Sequence, residues 1–369
     1  MSKKGSNREA LLSIYLKDFF QWKNLLGFEL TNIVLEQNHA DKNIDLTAVD
    51  IRRKLGIYME IQLTKANKHY LRRIQEMMNS YPESVIIWIA QSFDSMLLGE
   101  LETWMTKNNK QYIDFYAMSI SEEALKELHR LNQMFKLDIY DEMRGLDVIN
   151  PLLQIEHKLI NLHQNHCGNV AIEPETYDFS RPDNVKKMLL SVLNKRMPYY
   201  LNFHYRKKAN LHDHVLTVGS GRSNISYRTS VKNAKSLAFV ELYFDSSRED
   251  DFEEFKKIEK TIRQKVHPQI QVEDRRIGVY FQPLETFEET LEAIADLFEK
   301  FIQFFSPYIY GRKEIRRIDG QVEKTVGDTY HITLKRVDYS EAMFFDEPYE
   351  TEESYRIKLE EQSEKIFRY

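Results

Sequence analysis

The reading of residues 43–63, NIDLTAVDIRRKLGIYMEIQL, decides the fold of the N-terminal half. Two runs of alternating apolar and polar residues flank a basic turn, RRKLG, at 52–56. Period-two alternation is the mark of a strand, and the turn joins the two runs as a hairpin. Successive side chains on a strand point to opposite faces. Ile44, Leu46 and Ala48 therefore share one face of the first run, with Asp45 and Thr47 on the other. In the second run Met59, Ile61 and Leu63 lie opposite Tyr58, Glu60 and Gln62. If the apolar faces pack on helices, Asp45, Glu60 and Gln62 converge on the other side. Two carboxylates and an amide form a hard, oxygen-rich donor set of the kind that Mg²⁺ or Mn²⁺ takes. Such an ion can activate water and stabilise displacement at a phosphodiester. Without it, two close carboxylates repel and one holds a proton. The competing reading of this spacing is surface decoration. Asp50 falls on the apolar parity near the turn and reads as a solvated strand end.

Working outward, residues 9–26 carry Leu12, Tyr15, Leu16, Phe19, Phe20 and Trp22 at helical spacing, with Gly27 as a stop. FELTNIVLE precedes the hairpin as a further strand. After it, KHYLRRIQEMMNSY reads as a helix and SVIIWIAQ as a strand buried on both faces. SMLLGELETWMTKNN reads as a helix and YIDFYAMSI as a strand. A meander followed by alternating helices and strands implies an α/β domain with a mixed sheet covered by helices, placed at residues 1–125. Residues 126–180 are expected to be a helical connector, with NPLLQIEHKLINLHQNH as one of its helices, ending in a breaker-rich linker. Residues 181–335 read as a second, α+β domain with an antiparallel sheet. It begins with the helix PDNVKKMLLSVLNKR. Strands HVLTVG, NISYRTS and SLAFVELYF follow, then a charged helix over EDDFEEFKKIEKTIRQKV, strands QIQVE and RIGVYFQ, and a helix over 285–305. That last helix places Phe287, Leu291, Ile294, Phe298, Phe301 and Phe305 on one face, as a core stripe. Residues 336–369 read as an acidic, helical tail.

Composition narrows the classes. The 369 residues suffice for two domains, and 42% apolar residues suffice for a core in each. No apolar run reaches 18 residues, so no membrane span is expected. The first twenty residues, MSKKGSNREALLSIYLKDFF, lack an apolar signal core with a cleavage site. Cys167 is the only cysteine, which excludes an intrachain disulfide and fits a reducing, cytoplasmic setting. The net charge of −5 makes no global case for nucleic acid, but the charge is polarised. Residues 181–236 hold twelve Lys/Arg against two Asp, and residues 337–369 hold ten Asp/Glu against four Lys/Arg.

The order of helix, strand, Asp-bearing strand, strand with Glu-x-Gln and helix resembles the PD-(D/E)xK restriction-endonuclease-like nucleases. Asp45 matches the motif aspartate, Glu60 the acidic residue, and Gln62 the position usually held by lysine. MEIQLTKANKHYLRRI followed by SVIIWIA resembles a bacterial branch with Glu-x-Gln, in which an uncharacterised second domain follows; GSGRSNISY, FVELYF and RRIGVYF look like its strands. The likeness covers residues 10–125 and 180–310. It implies a Mg²⁺- or Mn²⁺-dependent endonuclease acting on nucleic acid, DNA first, in genome defence or restriction, and it admits a homodimer. Asp45 and Glu60 would hold the metal, and Gln62 would orient water or metal. Glu36 is the first choice for a further acidic ligand, ahead of Glu29 and Glu9. Because an amide cannot carry the lysine's charge, three outcomes stay open. Metal takes over the role, a lysine such as Lys65 or Lys68 migrates to it, or catalysis is lost. The last yields the rival reading, an inactive nuclease fold serving as a nucleic-acid-binding or assembly subunit.

The basic region interleaves aromatics with Arg and Lys in YYLNFHYRKK and GSGRSNISYR, a pattern that suits phosphate contact and base stacking. Arg206, Lys207, Lys208, Arg222 and Arg228 are the candidates; an ordinary basic surface is the alternative. GSGRSN lacks the Lys-Ser/Thr ending and following helix of a phosphate loop. His212 with His214, and His163 with His166 and Cys167, lack a second ligand pair at zinc spacing and read as surface residues.

Overall fold

A computed structural model describes residues 7–39, 42–162, 166–170, 182–204, 215–233 and 236–310. The chain divides into two compact units, Met1–Glu175 and Thr176–Tyr369.

The first unit opens with α1 (Asn7–Asp18) and a short α2 (Trp22–Leu26). Gly27 ends α2 with φ 81°, a left-handed conformation that costs glycine nothing. The single helix expected over 9–26 is thus two. The amides of Phe19 and Phe20 still bond the Tyr15 carbonyl, and Trp22 Nε1 donates to the Leu16 carbonyl at 2.8 Å across the break. β1 (Leu30–His39), β2 (Lys42–Asp50) and β3 (Gly56–Ile61) follow as an antiparallel meander. Next come α3 (Lys68–Ser80), β4 (Ser84–Ala90), α4 (Ser95–Lys107) and β5 (Ile113–Ile120), with β3, β4 and β5 parallel. α5 (Glu122–Asn132), α6 (Ile139–Glu142) and a 3₁₀ turn (Met143–Val148) then lead to β6 (Leu153–Leu159), antiparallel to β5. The six strands neighbour one another in chain order, so the sheet is mixed, as expected.

The physical reasons are local. All seven residues of β4 are buried, as its unbroken apolar run requires. Asn67 caps α3, its side chain accepting from the amides of His69 and Tyr70 at 3.0 and 3.3 Å. Leu71, Ile74 and Met78 of α3 then join Leu97 and Leu101 of α4 in one core with Ile86 and Trp88 of β4. Both crossover helices therefore cover the same face of the sheet, as right-handed βαβ connections demand.

Two expectations are corrected here. The described part of NPLLQIEHKLINLHQNH, residues 150–162 and 166, is not helical; its centre is β6, and pairing with β5 carries the first unit past the boundary at 125. Asp50 is not a solvated strand end but fully buried. Its Oδ1 accepts from the amides of Arg52 and Arg53, and its Oδ2 from Arg53 Nε at 2.7 Å. The same guanidinium reaches Asp114 on β5 through Nη1 at 2.8 Å. Asp114 Oδ1 accepts from the amides of Asn161 and Leu162, just beyond β6. One arginine thus ties the hairpin turn to the far side of the sheet.

The second unit holds a five-stranded antiparallel sheet in the order β10-β11-β9-β8-β7. Its elements are α7 (Pro182–Arg196), α8 (Pro198–His204), β7 (Leu216–Gly219), β8 (Ile225–Ser230), β9 (Ala238–Phe244), α9 (Glu249–Lys256), α10 (Glu259–Lys265), β10 (Gln271–Glu273), β11 (Arg276–Phe281) and α11 (Phe287–Ile309). The expected α+β class holds; the charged helix of the expectation is α9 and α10. Thr286 and Glu289 form a reciprocal capping box at the start of α11. Leu291, Ile294, Phe298, Phe301 and Phe305 are buried along it, while Phe287 is half-buried. The acidic segment 336–369 lies outside the described residues. Among the described residues no helix is long and apolar enough to cross a membrane.

The Arg53 bridge yields a stability prediction. Arg53→Met leaves Asp50 and Asp114 buried with their shared cation gone, a loss on the order of 3–5 kcal/mol. Arg130→Met, at an exposed pair with Glu127, removes less than about 1 kcal/mol. Urea unfolding of the two variants measures the contrast; equal losses would contradict it.

Candidate functional site

The β2–β3 register sets the site. Leu46 pairs with Met59 and Thr47 with Tyr58, so one further step brings Asp45 level with Glu60. There the backbone ladder ends. The Ile61 amide instead donates to Asp45 Oδ2 at 2.7 Å, so the carboxylate completes the hairpin where the strands part. Glu60 is paired in register with Trp88 on β4, which places it on the face covered by α3 and α4. Gln62, one residue past β3, donates its amide to the Ile89 carbonyl and continues the same face. Glu60 and Gln62 thus follow one another on the α3–α4 face with Asp45 next to Glu60, and both long side chains are buried: Glu60 is 1% exposed and Gln62 0%.

Their polar atoms are poorly satisfied. Neither Glu60 oxygen accepts a hydrogen bond, and neither Gln62 Oε1 nor Nε2 has a partner. Trp88 Nε1 is likewise unpartnered. A buried, unpaired polar group costs about 1–3 kcal/mol, and three of them lie on or just beyond the neighbouring strands β3 and β4.

Arg73 Nη1 of α3 lies 2.6 Å from Glu60 Oε1, an ion pair whose angle falls short of a hydrogen bond. Burial and the negative charge of Asp45 nevertheless push the Glu60 carboxyl up to about 8; Arg73 pulls it down, and Glu9 of α1 adds to the rise. Desolvation wins over the arginine because that cation is itself partly in water, its side chain 36% exposed. Glu9 reaches the same end of the sheet from α1, its Oε1 accepting from the Leu63 amide at 3.4 Å. Tyr70, one turn before Arg73, has its phenol raised by burial and by Glu9 and Glu60.

The remaining candidates are placed as follows. Glu36 lies on β1, but its side chain is outside the described residues. Glu29 is exposed and pairs with Lys23 at 2.5 Å. Of Glu9 and Glu29, Glu9 is the one whose charge reaches Glu60. Lys65 and Lys68 are both exposed, and Lys68 pairs with Glu100 at 3.4 Å. The cation at Glu60 is Arg73, which the sequence reading missed. A signal for it existed: at about 100° per residue, Arg73 stands next to Met77 at the edge of the apolar stripe of α3, whereas Arg72 stands well away from it.

In the second unit, Arg222 pairs with Asp251 at 2.9 Å, in the turn between β7 and β8. Arg228 lies 3.5 Å over the Tyr243 ring and 4.0 Å from the buried Glu241. Both candidate phosphate contacts are thus engaged within their own unit. Arg206, Lys207, Lys208, His163, His212 and His214 lie outside the described residues. His166 pairs with Glu83, and Cys167 is exposed.

Among the described residues, no group of three or more His, Cys, Asp or Glu side chains is arranged to hold a metal ion. The polar groups at this end of the hairpin are the carboxyl groups of Asp45 and Glu60 and the Gln62 amide, with the charge of Glu9 reaching Glu60. No protein-family model matches the chain, and no curated protein matches it in sequence.

The carboxyl of Glu60 predicts a pH dependence. The folded protein holds its proton up to about pH 8, while the unfolded chain loses it near the ordinary value of 4.5. The folded state therefore binds the extra proton between these limits, and stability falls as pH rises through that window. The loss is on the order of 3–5 kcal/mol. Denaturant unfolding in chelator at pH 5 and pH 8 should show it in the wild type and not in Glu60→Gln. Equal pH dependence in both proteins would contradict the account.

Proposed function

We propose that the first unit is a PD-(D/E)xK-like nuclease that hydrolyses phosphodiester bonds of nucleic acid, DNA before RNA, with Mg²⁺ or Mn²⁺. The observation that carries this reading is the buried, unpartnered Gln62 amide beside the Asp45–Glu60 pair. The donors suit a hard cation: all are oxygens, and two are carboxylates whose mutual repulsion such an ion relieves. The position suits a ligand too. The site lies at the C-terminal end of β3, and open α/β sheets bind ligands outside the carboxyl ends of their parallel strands.

Asp45 and Glu60 would hold the ion, with Gln62 Oε1 as a third oxygen or Nε2 as a donor to water. A bound divalent cation would supply an acidified water and neutralise charge on the phosphate. Hydrolysis joins a water oxygen to phosphorus while the bond to the leaving oxygen breaks, one proton leaving the water and one reaching the leaving group. Gln62 neither takes nor gives a proton, so its part is orientation. The Ile61 amide fixes Asp45 in place, so this carboxylate is aligned before any ligand arrives. The second unit would then serve recognition, through its basic segment.

The rival reading, a nuclease fold that binds nucleic acid without cutting it, draws on two features. Gln62 carries no charge, and Arg73 already occupies Glu60. A cleavage assay separates them. Plasmid, linear duplex, single-stranded DNA and RNA are offered with Mg²⁺, Mn²⁺ or chelator to the wild type, Asp45→Ala and Glu60→Ala. The nuclease reading expects metal-dependent cutting that falls by at least about 100-fold in both variants. Binding without cutting on any substrate would favour the rival.

A further inference from the structure

We propose that Arg73 is an exchangeable partner of Glu60: it holds the Glu60 carboxyl while no metal is bound, yields it to the divalent cation, and then pairs with the phosphodiester. This rests on the metal reading of the Asp45–Glu60 site and deepens it by naming the group that meets the substrate.

The geometry singles out Arg73 among the cations of α3. Its Nη1 lies 2.6 Å from Glu60 Oε1, while Lys68 is engaged by Glu100 and Arg72 is exposed. The two ends of the pair differ sharply in burial: Glu60 is 1% exposed and the Arg73 side chain 36%. A group held at a buried carboxyl yet partly in water can turn outward without opening a hole in the core. Its guanidinium also sits 5.6 Å from the centroid of the Tyr70 ring, one turn earlier on the helix. That ring supplies a platform along which the cation can shift.

Charge makes the exchange favourable. Asp45, Glu60 and the nearby Glu9 bring three carboxyl groups to one end of the sheet, where Arg73 is the cation that acts on Glu60. A divalent cation bound to Asp45 and Glu60 supplies two charges at once and displaces Arg73 from Glu60. The anion that next enters such a site is the phosphate being cut, and the planar fork of arginine matches two of its oxygens. Arg73 would thus deliver the positive charge that Gln62 cannot.

The test uses the full chain with Arg73→Met, Arg73→Lys and Glu60→Gln. Calorimetry measures Mn²⁺ affinity, and anisotropy measures how far Ca²⁺ strengthens binding of labelled single-stranded and duplex oligonucleotides. Thermal melting checks that each variant is folded. Arg73→Met is expected to bind Mn²⁺ at least as tightly as the wild type, since a competitor for Glu60 is gone. It should lose about tenfold or more of the metal-stimulated oligonucleotide affinity, and Arg73→Lys should keep part of it. A merely structural arginine would weaken both together, and that result overturns the proposal. So does an unchanged metal-stimulated affinity in Arg73→Met, or a wild type that binds Mn²⁺ without any gain in oligonucleotide affinity. These leave the metal site standing. A wild type that binds no Mn²⁺, like Glu60→Gln, overturns the metal reading and this proposal together.

Discussion

A carboxylate taken out of water beside a second carboxylate is the constraint around which the first unit is arranged. Glu60 is buried at the end of β3, level with Asp45, and its charged form is disfavoured by both burial and its neighbour. A chain keeps such a group only where the surroundings force it or where it is used. Here the surroundings force it: the strand pairing that buries Met59 and Ile61 on one face leaves Glu60 and Gln62 no position but under α3. The hydrogen bond from the Ile61 amide to Asp45 locks the second carboxylate at the same place. The fold therefore holds the two acids together by its backbone, and the free energy so stored is what a cation would release.

The opposite end of the same hairpin shows how the chain treats buried acids that are purely structural. Asp50 and Asp114 are as buried as Glu60, but every oxygen is supplied with a partner, by Arg53 and by backbone amides. Glu60 has one imperfectly aligned arginine, and Gln62 has nothing. The contrast lies within one sheet and one core, so it reflects the two ends of the hairpin rather than general looseness. One end is a fully satisfied clamp, and the other leaves buried polar groups short of partners.

Much of this was legible in the sequence because the decisive pattern was short and periodic. The alternation in 43–63 gave both strands, and parity gave the level pairing of Asp45 with Glu60 at the end of the hairpin. What failed did so for identifiable reasons. The segment LQIEHKL alternates weakly within a longer run, LLQIEHKLINL, whose apolar residues also fit a helix; only the free edge of β5 decides for a strand. Asp50 was misplaced because its partner Arg53 sits in a turn that reads as ordinary basic surface. Its second contact, Asp114, is 61 residues away from Arg53, beyond any local pattern. Arg73 was passed over in favour of Lys65 and Lys68 because those are nearer in sequence, whereas helix rotation, not proximity, sets which cation reaches the sheet. In the second unit the sequence showed the basic segment but not that Arg222 and Arg228 already have partners of their own.

Diffraction from crystals of the full chain soaked in millimolar Mn²⁺, with the metal's anomalous signal recorded, tests the central claim most directly. The account predicts a peak bonded to carboxylate oxygens of Asp45 and Glu60 at about 2.0–2.3 Å, with Gln62 Oε1 or a water it holds completing the sphere. It also predicts that Arg73 has left Glu60. No peak there, with Arg73 still paired to Glu60 and the Gln62 amide still unpartnered, would contradict it.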